Sequence, residues 1–177
     1  VDVRRLGQST VHAATRADFN TTVLSDTSAG YAADLSTSID ALDFEALGRE
    51  AVSKCLRGQN PRSIEPGRYT VILDPYATQD LVMMLAYTGL GALAVQEGRS
   101  FMAGRFGELI ADPRISLWDD GLDPSGIPLP FDFEGVPKQR VEMIRAGQAN
   151  AVVYDSYRAG REPGKQSTGH ALPAPNA

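Results

Sequence analysis

The segment DPYATQDLVMMLAYTGLGA, residues 74–92, constrains the fold of this chain more than any other stretch. It predicts a helix that begins after Asp74 and Pro75. Apolar side chains cover one face of this helix and much of the rest, namely Leu81, Val82, Met83, Met84, Leu85 and Ala86. Because a helix that is apolar nearly all round is buried, the chain is expected to pack other elements around it.

A second helix is predicted at residues 43–57. Asp43 is a suitable N-cap, and Glu45 lies in the first turn, where the helix dipole favours an acid. Glu50 and Lys54 have the spacing of a favourable ion pair on one helix. One face of this helix is apolar and carries Phe44, Leu47, Ala51 and Cys55.

Strand patterns accompany the two helices. Residues 9–36 contain short alternating pieces that predict two or three strands. The stretches RYTVILD and ISLWDDG, residues 68–74 and 115–121, predict one strand each. The mixture of strands and helices predicts an α+β fold.

The last third of the chain predicts a hairpin followed by an irregular tail. Residues 141–144 and 151–154 are β-prone runs, and RAGQAN between them is a natural turn. From residue 160 onward glycine and proline recur, so this segment is expected to be irregular and to pack poorly alone.

Charge and cysteine content exclude several functional classes. The chain has 22 acidic and 17 basic residues, a net charge of -5, and its bases are scattered, which argues against a nucleic-acid surface. No apolar run approaches the roughly 20 residues that a membrane span needs. Cys55 is the only cysteine, so a disulfide within the chain is impossible and a cytoplasmic location is expected.

The residues themselves do not identify a metal site or a nucleophile. His12 and His170 lie far apart in sequence, and neither belongs to a closely spaced ligand set. Cys55 falls on an apolar helix face, where cysteine behaves as a small hydrophobe. The stretch from Ser167 to Gly169, followed by His170, places a hydroxyl near a base. Neighbouring residues of an extended stretch point apart, however, so a dyad there is weakly supported.

Four carboxylates leave two interpretations open. Asp119, Asp120, Asp132 and Glu134 follow or border apolar runs, and grouped carboxylates can perform acid–base chemistry or bind a hard cation. Alternatively, these acids stabilise turns by accepting hydrogen bonds from nearby backbone N–H groups.

Five short motifs in a fixed order are more specific. They are GRSFMAGRFGE, DDG, FDFEGVP, AGQANAVVYD and STGHALPAPN, all within residues 66–176. In this order they resemble the TldD/PmbA family of metallopeptidases, whose members are also called modulators of DNA gyrase. Residues 30–56 fit the linker and helix that precede these motifs in the family.

The resemblance implies a domain organisation. Residues 1–65, with the helix at 43–57, are expected to form the C-terminal part of an N-terminal α/β domain. Residues 66–177 are expected to form the first part of a β-rich C-terminal domain. The chain is accordingly expected to be truncated at both ends and, with strand edges unpaired, to be unstable or prone to aggregate alone.

The resemblance also implies a heterodimeric peptidase. Its TldD-type subunit carries zinc on an HExxxH helix, whereas Val82, Met83 and Tyr87 occupy the corresponding positions in this sequence. These side chains are poor zinc ligands, so a TldE (PmbA)-type subunit is expected, without catalytic residues or metal of its own. The expected partners are a zinc-containing TldD-type subunit and an unfolded or extended peptide, not nucleic acid or membrane.

The candidates for substrate or interface contact lie in two of the motifs, and they are Asp132, Glu134, Gly135, Ser167, Thr168 and Gly169. Two alternatives remain. The chain can instead be an independent regulatory or scaffold protein that binds a protein target such as DNA gyrase. It can also be an enzyme in its own right that uses the four carboxylates.

Overall fold

The computed structural model describes residues 2–5 and 8–173 of the 177-residue chain. Helices and strands both contribute to it, which confirms the α+β class. The strands of the described residues are β1 Asp2–Arg5, β2 Gln8–Val11, β3 Ala17–Leu24, β4 Ala29–Ser36, β5 Leu117–Asp119, β6 Val141–Arg145 and β7 Gln148–Ala149. The helices are α1 Phe44–Arg57, α2 Pro75–Gly89, α3 Ala92–Gln96 and α4 Ser156–Ala159, with a 3-10 turn at Ile39–Ala41.

The chain divides into two compact units. The first, called the hairpin–helix unit below, comprises Ala13–Val71 with Pro124–Ile127. The second, called the sheet unit, comprises Val1–His12, Ile72–Asp123 and Pro128–Ala177. The domain boundary expected between residues 65 and 66 stays a prediction, because the compact units of one chain need not coincide with the domains of a family.

Strands β3 and β4 of the hairpin–helix unit form an antiparallel pair, with α1 packed against it. The Asp43 carboxylate caps α1 by accepting the N–H of Ala46 at 2.8 Å. Lys54 and Glu50 form the expected ion pair at 2.7 Å. The helix predicted at residues 43–57 is therefore present, and three strands lie within residues 8–36.

Small residues let α1 approach the hairpin closely. A side-chain carbon added at Gly30 would lie 1.9 Å from the carbonyl oxygen of Ala51. Ala32 and Ala51 are fully buried, and Leu47 completes this core. Cys55 is also buried, whereas Phe44 at the edge of the same face remains exposed. Close packing of backbone on backbone thus explains the alanines and the glycine at this contact.

The sheet unit contains the antiparallel sheet β5–β6–β7. Strands β6 and β7 are joined by Ala146 and Gly147, whose φ angles of 46° and 79° are both positive. A two-residue turn of this kind matches the twist of a hairpin. The predicted hairpin is therefore present, but its second strand lies at Gln148–Ala149. The Ala151 N–H still donates to the Met143 carbonyl of β6 at 3.3 Å, but the following residues leave the hairpin. The Val153 N–H donates to the Leu90 carbonyl at 3.1 Å, and the Val153 carbonyl accepts the Ala92 N–H at 2.9 Å.

One core cluster holds the sheet unit together. It combines side chains from strands β6 and β7 and helices α3 and α4 with side chains from the segments beside these elements. Its residues are Leu90, Ala92, Met102, Val141, Met143, Ala149, Val152, Tyr154 and Ala159. Strand β5 was predicted correctly within ISLWDDG.

The strand predicted at residues 68–74 is absent, and this prediction is wrong. The side chains of Val71 and Ile72 are 68% and 98% exposed. A β-prone sequence forms a strand only beside a partner that exchanges backbone hydrogen bonds with it, and within residues 2–5 and 8–173 no strand pairs with this stretch.

The segment from residue 160 to 173 is irregular, as predicted, and within it residues 167–171 are buried or half-buried. Gly169 and Ala171 are buried. The Thr168 N–H donates to the Tyr154 carbonyl at 3.0 Å, and the Phe133 N–H donates to the Ala171 carbonyl at 3.3 Å. Backbone hydrogen bonds to two other segments replace regular structure here.

Candidate functional site

The Asp132 carboxylate organises the loop that carries three of the candidate residues. Asp132 is only 1% exposed, and its side chain is fully buried. Oδ1 accepts the N–H groups of Glu134 and Val136, both at 2.9 Å, and Oδ2 accepts the N–H of Ala171 at 2.8 Å. Gly135 completes the turn with a positive φ of 76°. Asp132 therefore closes its own loop and ties it to the C-terminal segment.

Glu134 connects the same loop to helix α4. Its Oε2 atom accepts the N–H of Ser156, the first residue of α4, at 2.9 Å. Asp155 caps the same helix by accepting the Arg158 N–H at 2.6 Å. Both acids thus satisfy helix-terminal N–H groups that have no partner within the helix.

The candidates Ser167, Thr168 and Gly169 contact the segment next to α4. The Thr168 hydroxyl accepts the Tyr154 N–H at 2.8 Å, and the Ser167 hydroxyl accepts the Gly169 N–H at 3.2 Å. Gly169 has a φ of 75°, and a side-chain carbon there would lie 2.3 Å from the Pro137 carbonyl oxygen. The fold therefore brings the two groups of candidate residues to the same region, where residues 154–156 contact both.

A buried histidine extends this region in a way that the sequence analysis did not predict. His170 Nδ1 lies 2.9 Å from the Thr168 hydroxyl, and His170 Nε2 lies 2.8 Å from Asp119 Oδ1. This hydrogen bond, partly opposed by burial, holds the pKa of Asp119 below its usual range, and the charge of Lys138 adds a smaller effect. In the sequence, Gly169 separates Thr168 from His170, and this glycine was the local signal for a contact between the two side chains.

The order carboxylate, imidazole and hydroxyl is the one that activates a nucleophile in hydrolases. Here the Thr168 hydroxyl oxygen already accepts a backbone N–H, and its hydrogen can also reach the Tyr154 carbonyl at 3.2 Å. Both nitrogens of His170 are engaged as well. The arrangement thus connects β5 to the C-terminal segment through internal hydrogen bonds.

The four carboxylates of the sequence analysis act separately. Asp132 and Asp120 both accept backbone N–H groups within their turns, Asp120 from Leu122 at 3.1 Å. Asp119 bonds His170, and Glu134 bonds the start of α4. Within residues 2–5 and 8–173, no group of three His, Cys, Asp or Glu side chains has the geometry to hold a metal ion. The interpretation of these acids as turn-forming residues therefore accounts for Asp120 and Asp132.

Helix α2, which carries Val82, Met83 and Tyr87, is exposed to solvent and not buried as the sequence predicted. Asp74 caps it by accepting the Tyr76 N–H at 2.9 Å. The prediction that α2 is buried is wrong for this chain, since Met84 and Tyr87 are 63% and 82% exposed and only Gly89 is buried. Helical periodicity identified the element correctly, but burial depends on which other segments pack against it.

The side chains of α2 do not fit a zinc ion. The helix contains no histidine or cysteine, and Asp80 is its only acid. Zinc in proteins is held by imidazole, thiolate and carboxylate groups. Valine has no donor atom, and a methionine thioether is a ligand for softer ions.

No helix in the part of the chain that the structure describes is long and apolar enough to span a membrane.

Comparisons with known proteins relate the chain to one family. Residues 66–176 match the model of the PmbA/TldA metallopeptidase C-terminal domain. An uncharacterized protein of Methanocaldococcus jannaschii is 32% identical over 136 residues, which are 76% of this chain and 32% of that protein. A metalloprotease of Methanothermobacter thermautotrophicus is 25% identical over 128 residues, or 68% of this chain and 27% of that protein.

Solved structures share the fold. A Thermotoga maritima protein named as a modulator of a DNA gyrase has a TM-score of 0.79 at 24% identity, covering 89% of this chain and 37% of its own. TldE of Thermococcus kodakarensis has a TM-score of 0.66 at 21% identity, and the match covers 97% of this chain and 35% of TldE. The chain spans about a third of the length of the relatives it matches. Since the family model covers well over half of the chain, the chain belongs to the PmbA/TldD family of metallopeptidases.

Proposed function

We propose that this protein is the metal-free, TldE (PmbA)-type subunit of a heterodimeric peptidase whose zinc lies in a TldD-type partner. The observation that carries the proposal is the chemistry of α2. Val82, Met83 and Tyr87 stand where the family resemblance implies an HExxxH motif, and none of them supplies an imidazole or a carboxylate. On this proposal the chain itself needs no cofactor, and cleavage depends on the partner.

The exposed apolar surface of α2 supports association with further protein. Leu81, Met84 and Tyr87 are 55%, 63% and 82% exposed, which is unusual for neighbouring large apolar side chains. Contiguous exposed apolar surface is typical of sites that bind protein.

The role proposed for this subunit is to close a peptide-containing chamber and to help hold an extended substrate. Capture by strand addition tolerates many sequences, because main-chain hydrogen bonds supply the affinity. The hairpin region, residues 141–154, and the loop at residues 132–137 are proposed to line that chamber or the subunit interface. Charge substitutions at exposed positions of both regions test this role. If they leave subunit association and peptide cleavage unchanged, the proposed role is wrong.

The setting proposed is the cytoplasm, with peptides instead of nucleic acid or membrane as the ligand. The net charge of -5 and the scattered basic residues favour this choice, because phosphate backbones require clustered cations.

The test is peptide hydrolysis by the full-length protein, alone and mixed with a TldD-type subunit that carries HExxxH. Cleavage is expected only in the mixture and is expected to disappear with a zinc chelator. A partner whose HExxxH glutamate is replaced by Gln serves as the matched control. Zinc-dependent cleavage by this protein alone contradicts the assignment as the metal-free subunit.

A second candidate function is regulation of a protein target such as DNA gyrase, which the name of the Thermotoga maritima relative favours. This alternative predicts binding to gyrase, and a change in its supercoiling rate, without any TldD-type subunit. Absence of both effects, together with cleavage in the mixture, decides for the peptidase subunit.

A further inference from the structure

Three cations of the sheet unit have no acidic partner. Within the residues that the structure describes, Arg158, Arg161 and Lys165 form no ion pair, whereas Arg99 and Arg114 pair with neighbouring acids. Each of the three lies instead over a tyrosine ring. Arg158 and Arg161 are 5.1 Å and 5.7 Å from the ring centre of Tyr157, and Lys165 is 5.6 Å from that of Tyr154.

The acids of the same segment are already engaged. Asp155 accepts the backbone N–H of Arg158 at the start of α4. Glu162 accepts from the Gln96 amide at 2.7 Å through Oε1 and from the Tyr154 hydroxyl at 2.9 Å through Oε2. Both carboxylates keep their charge but accept hydrogen bonds from neutral donors, so neither forms an ion pair with the three cations. The side-chain N–H groups of these cations are therefore available to a carboxylate from another molecule.

One of the three cations, Lys165, belongs to the lining of an open cleft of about 450 Å³. Its lining is mainly apolar and includes Val95, Phe106, Val141, Ala151 and Val152. Lys165 and Glu162 also line it, and Lys165 is exposed. The volume is at the lower end of the range of small-molecule sites and is ample for one or two apolar side chains.

We propose that the cleft and the three cations bind an acidic peptide segment. One apolar side chain of the peptide occupies the cleft, and a neighbouring Asp or Glu of the peptide contacts Arg158, Arg161 or Lys165. The carboxylate of Glu162 disfavours an acid inside the cleft. Arg158 and Arg161 do not line the cleft, and Lys165, which does, is exposed, so the acidic group of the peptide contacts these cations from the solvent side. The proposal rests on the proposed function for the idea that the ligand is a peptide, and it adds the charge class of that peptide.

The tyrosine rings prepare the cations for this contact. A guanidinium stacked on an aromatic ring keeps its N–H edge free for a carboxylate. The stacking also restricts the side chains before binding, which reduces the entropy lost on association.

Binding is measured by calorimetry with the full-length protein, without a partner subunit and without zinc. The probe is an eight-residue peptide with a central Leu flanked by Glu, and its counterpart has Gln in place of each Glu. The acidic peptide is expected to bind more tightly, by roughly 1.5- to 5-fold for each charge engaged. The difference is expected to shrink as salt is added, because exposed charges are screened.

Substitutions of the three cations test whether they cause the preference for the acidic peptide. Arg158→Gln, Arg161→Gln and Lys165→Gln, singly and combined, are expected to remove the preference for the acidic peptide. Arg114→Gln removes one positive charge from an exposed arginine paired with Asp112 and is expected to leave the preference unchanged. Circular dichroism and thermal unfolding verify that all variants remain folded.

Equal binding of the two peptides, or no binding of either, overturns the proposal. Tight binding of a single-stranded oligonucleotide that displaces the acidic peptide also overturns it, since the surface would then recognise phosphate. The measurement is independent of cleavage. A preference for the acidic peptide without zinc-dependent hydrolysis in the subunit mixture would contradict the proposed function alone.

Discussion

His170 Nε2 lies 2.8 Å from Asp119 Oδ1, although 51 residues separate the two in the chain. The other ring nitrogen lies 2.9 Å from the Thr168 hydroxyl, which also accepts the Tyr154 N–H at 2.8 Å. One imidazole, 7% exposed, therefore connects strand β5, the segment before α4 and the C-terminal segment.

Asp119→Asn tests this connection. The carboxylate is 44% exposed, so solvent screening limits the expected loss in unfolding free energy at neutral pH to about 0.5–1 kcal/mol. The hydrogen bond from His170 lowers the pKa of Asp119 in the folded state, so its contribution is present above the usual value of 3.8 and is lost as the pH falls below it. Urea unfolding of both proteins over a series of pH values checks this. A difference that stays constant down to the most acidic pH contradicts the assigned cause.

Asp132→Ala is expected to destabilise the protein strongly. The substitution removes the acceptor of three buried or half-buried N–H groups, those of Glu134, Val136 and Ala171. Leaving such groups without a partner costs about 1–3 kcal/mol each, so a total loss of about 3 kcal/mol or more is expected.

Asp120→Ala is the control for Asp132, because Asp120 accepts one backbone N–H, from Leu122, and its other oxygen forms a long ion pair with Arg140 at 3.7 Å. Its expected cost is about 1 kcal/mol. Denaturant unfolding measures both variants, and equal losses would show that the three-fold acceptor role of Asp132 has been overestimated.

Gly169→Ala and Gly164→Ala separate backbone conformation from close contact. The φ angles of the two glycines are 75° and 78°. Either substitution places alanine in the left-handed region, at a cost of roughly 1–2 kcal/mol. Only at position 169 does the added carbon also meet backbone, 2.3 Å from the Pro137 carbonyl oxygen, whereas nothing lies within 4 Å at position 164. Thermal unfolding is expected to show a clearly larger loss for Gly169→Ala, and equal losses contradict the close contact.

Tyr154→Phe tests the contact between the phenol and Glu162. Burial and, to a lesser degree, the Glu162 carboxylate raise the pKa of Tyr154 to about 12. A raised pKa in the folded state stabilises the fold below the usual value of 10.0, and this stabilisation is lost as the pH rises through about 12. The stability of the natural protein is therefore expected to fall more steeply over this range than that of Tyr154→Phe.

Ultraviolet titration provides the direct readout of the same group. One phenol of the natural protein is expected to ionise near pH 12, and that step is expected to be missing in Tyr154→Phe. Identical titration curves of the two proteins would contradict the assignment of the raised pKa to Tyr154.

Local patterns were sufficient for the elements whose signals lie within a few neighbouring residues. Asp43, the Glu50–Lys54 pair and the buried side chains of α1 are all present as predicted, because cap, ion pair and apolar face are contained in one helix. The turn of the β6–β7 hairpin was identified from Gly147. The position and length of its second strand, β7, were not predicted correctly. That strand ends early because Val153 forms its hydrogen bonds with Leu90 and Ala92, which no local pattern reveals.

The candidate site shows the same division. The motifs identified the loops that carry Asp132, Glu134 and Thr168, but their contacts with Ala171, Ser156 and Tyr154 depend on how distant segments meet.

By itself, the sequence determined the family, the α+β class, the two long helices α1 and α2, the cores of most strands, and the lack of zinc ligands on α2 at residues 82, 83 and 87. These properties follow from the identity and spacing of neighbouring residues. The short helices α3 and α4 were not predicted. Only the tertiary structure decided that α2 is exposed, that residues 68–74 form no strand, and that His170 meets Asp119. Burial, strand pairing and long-range hydrogen bonds require a partner from elsewhere in the chain, and a local pattern does not specify which segment supplies it.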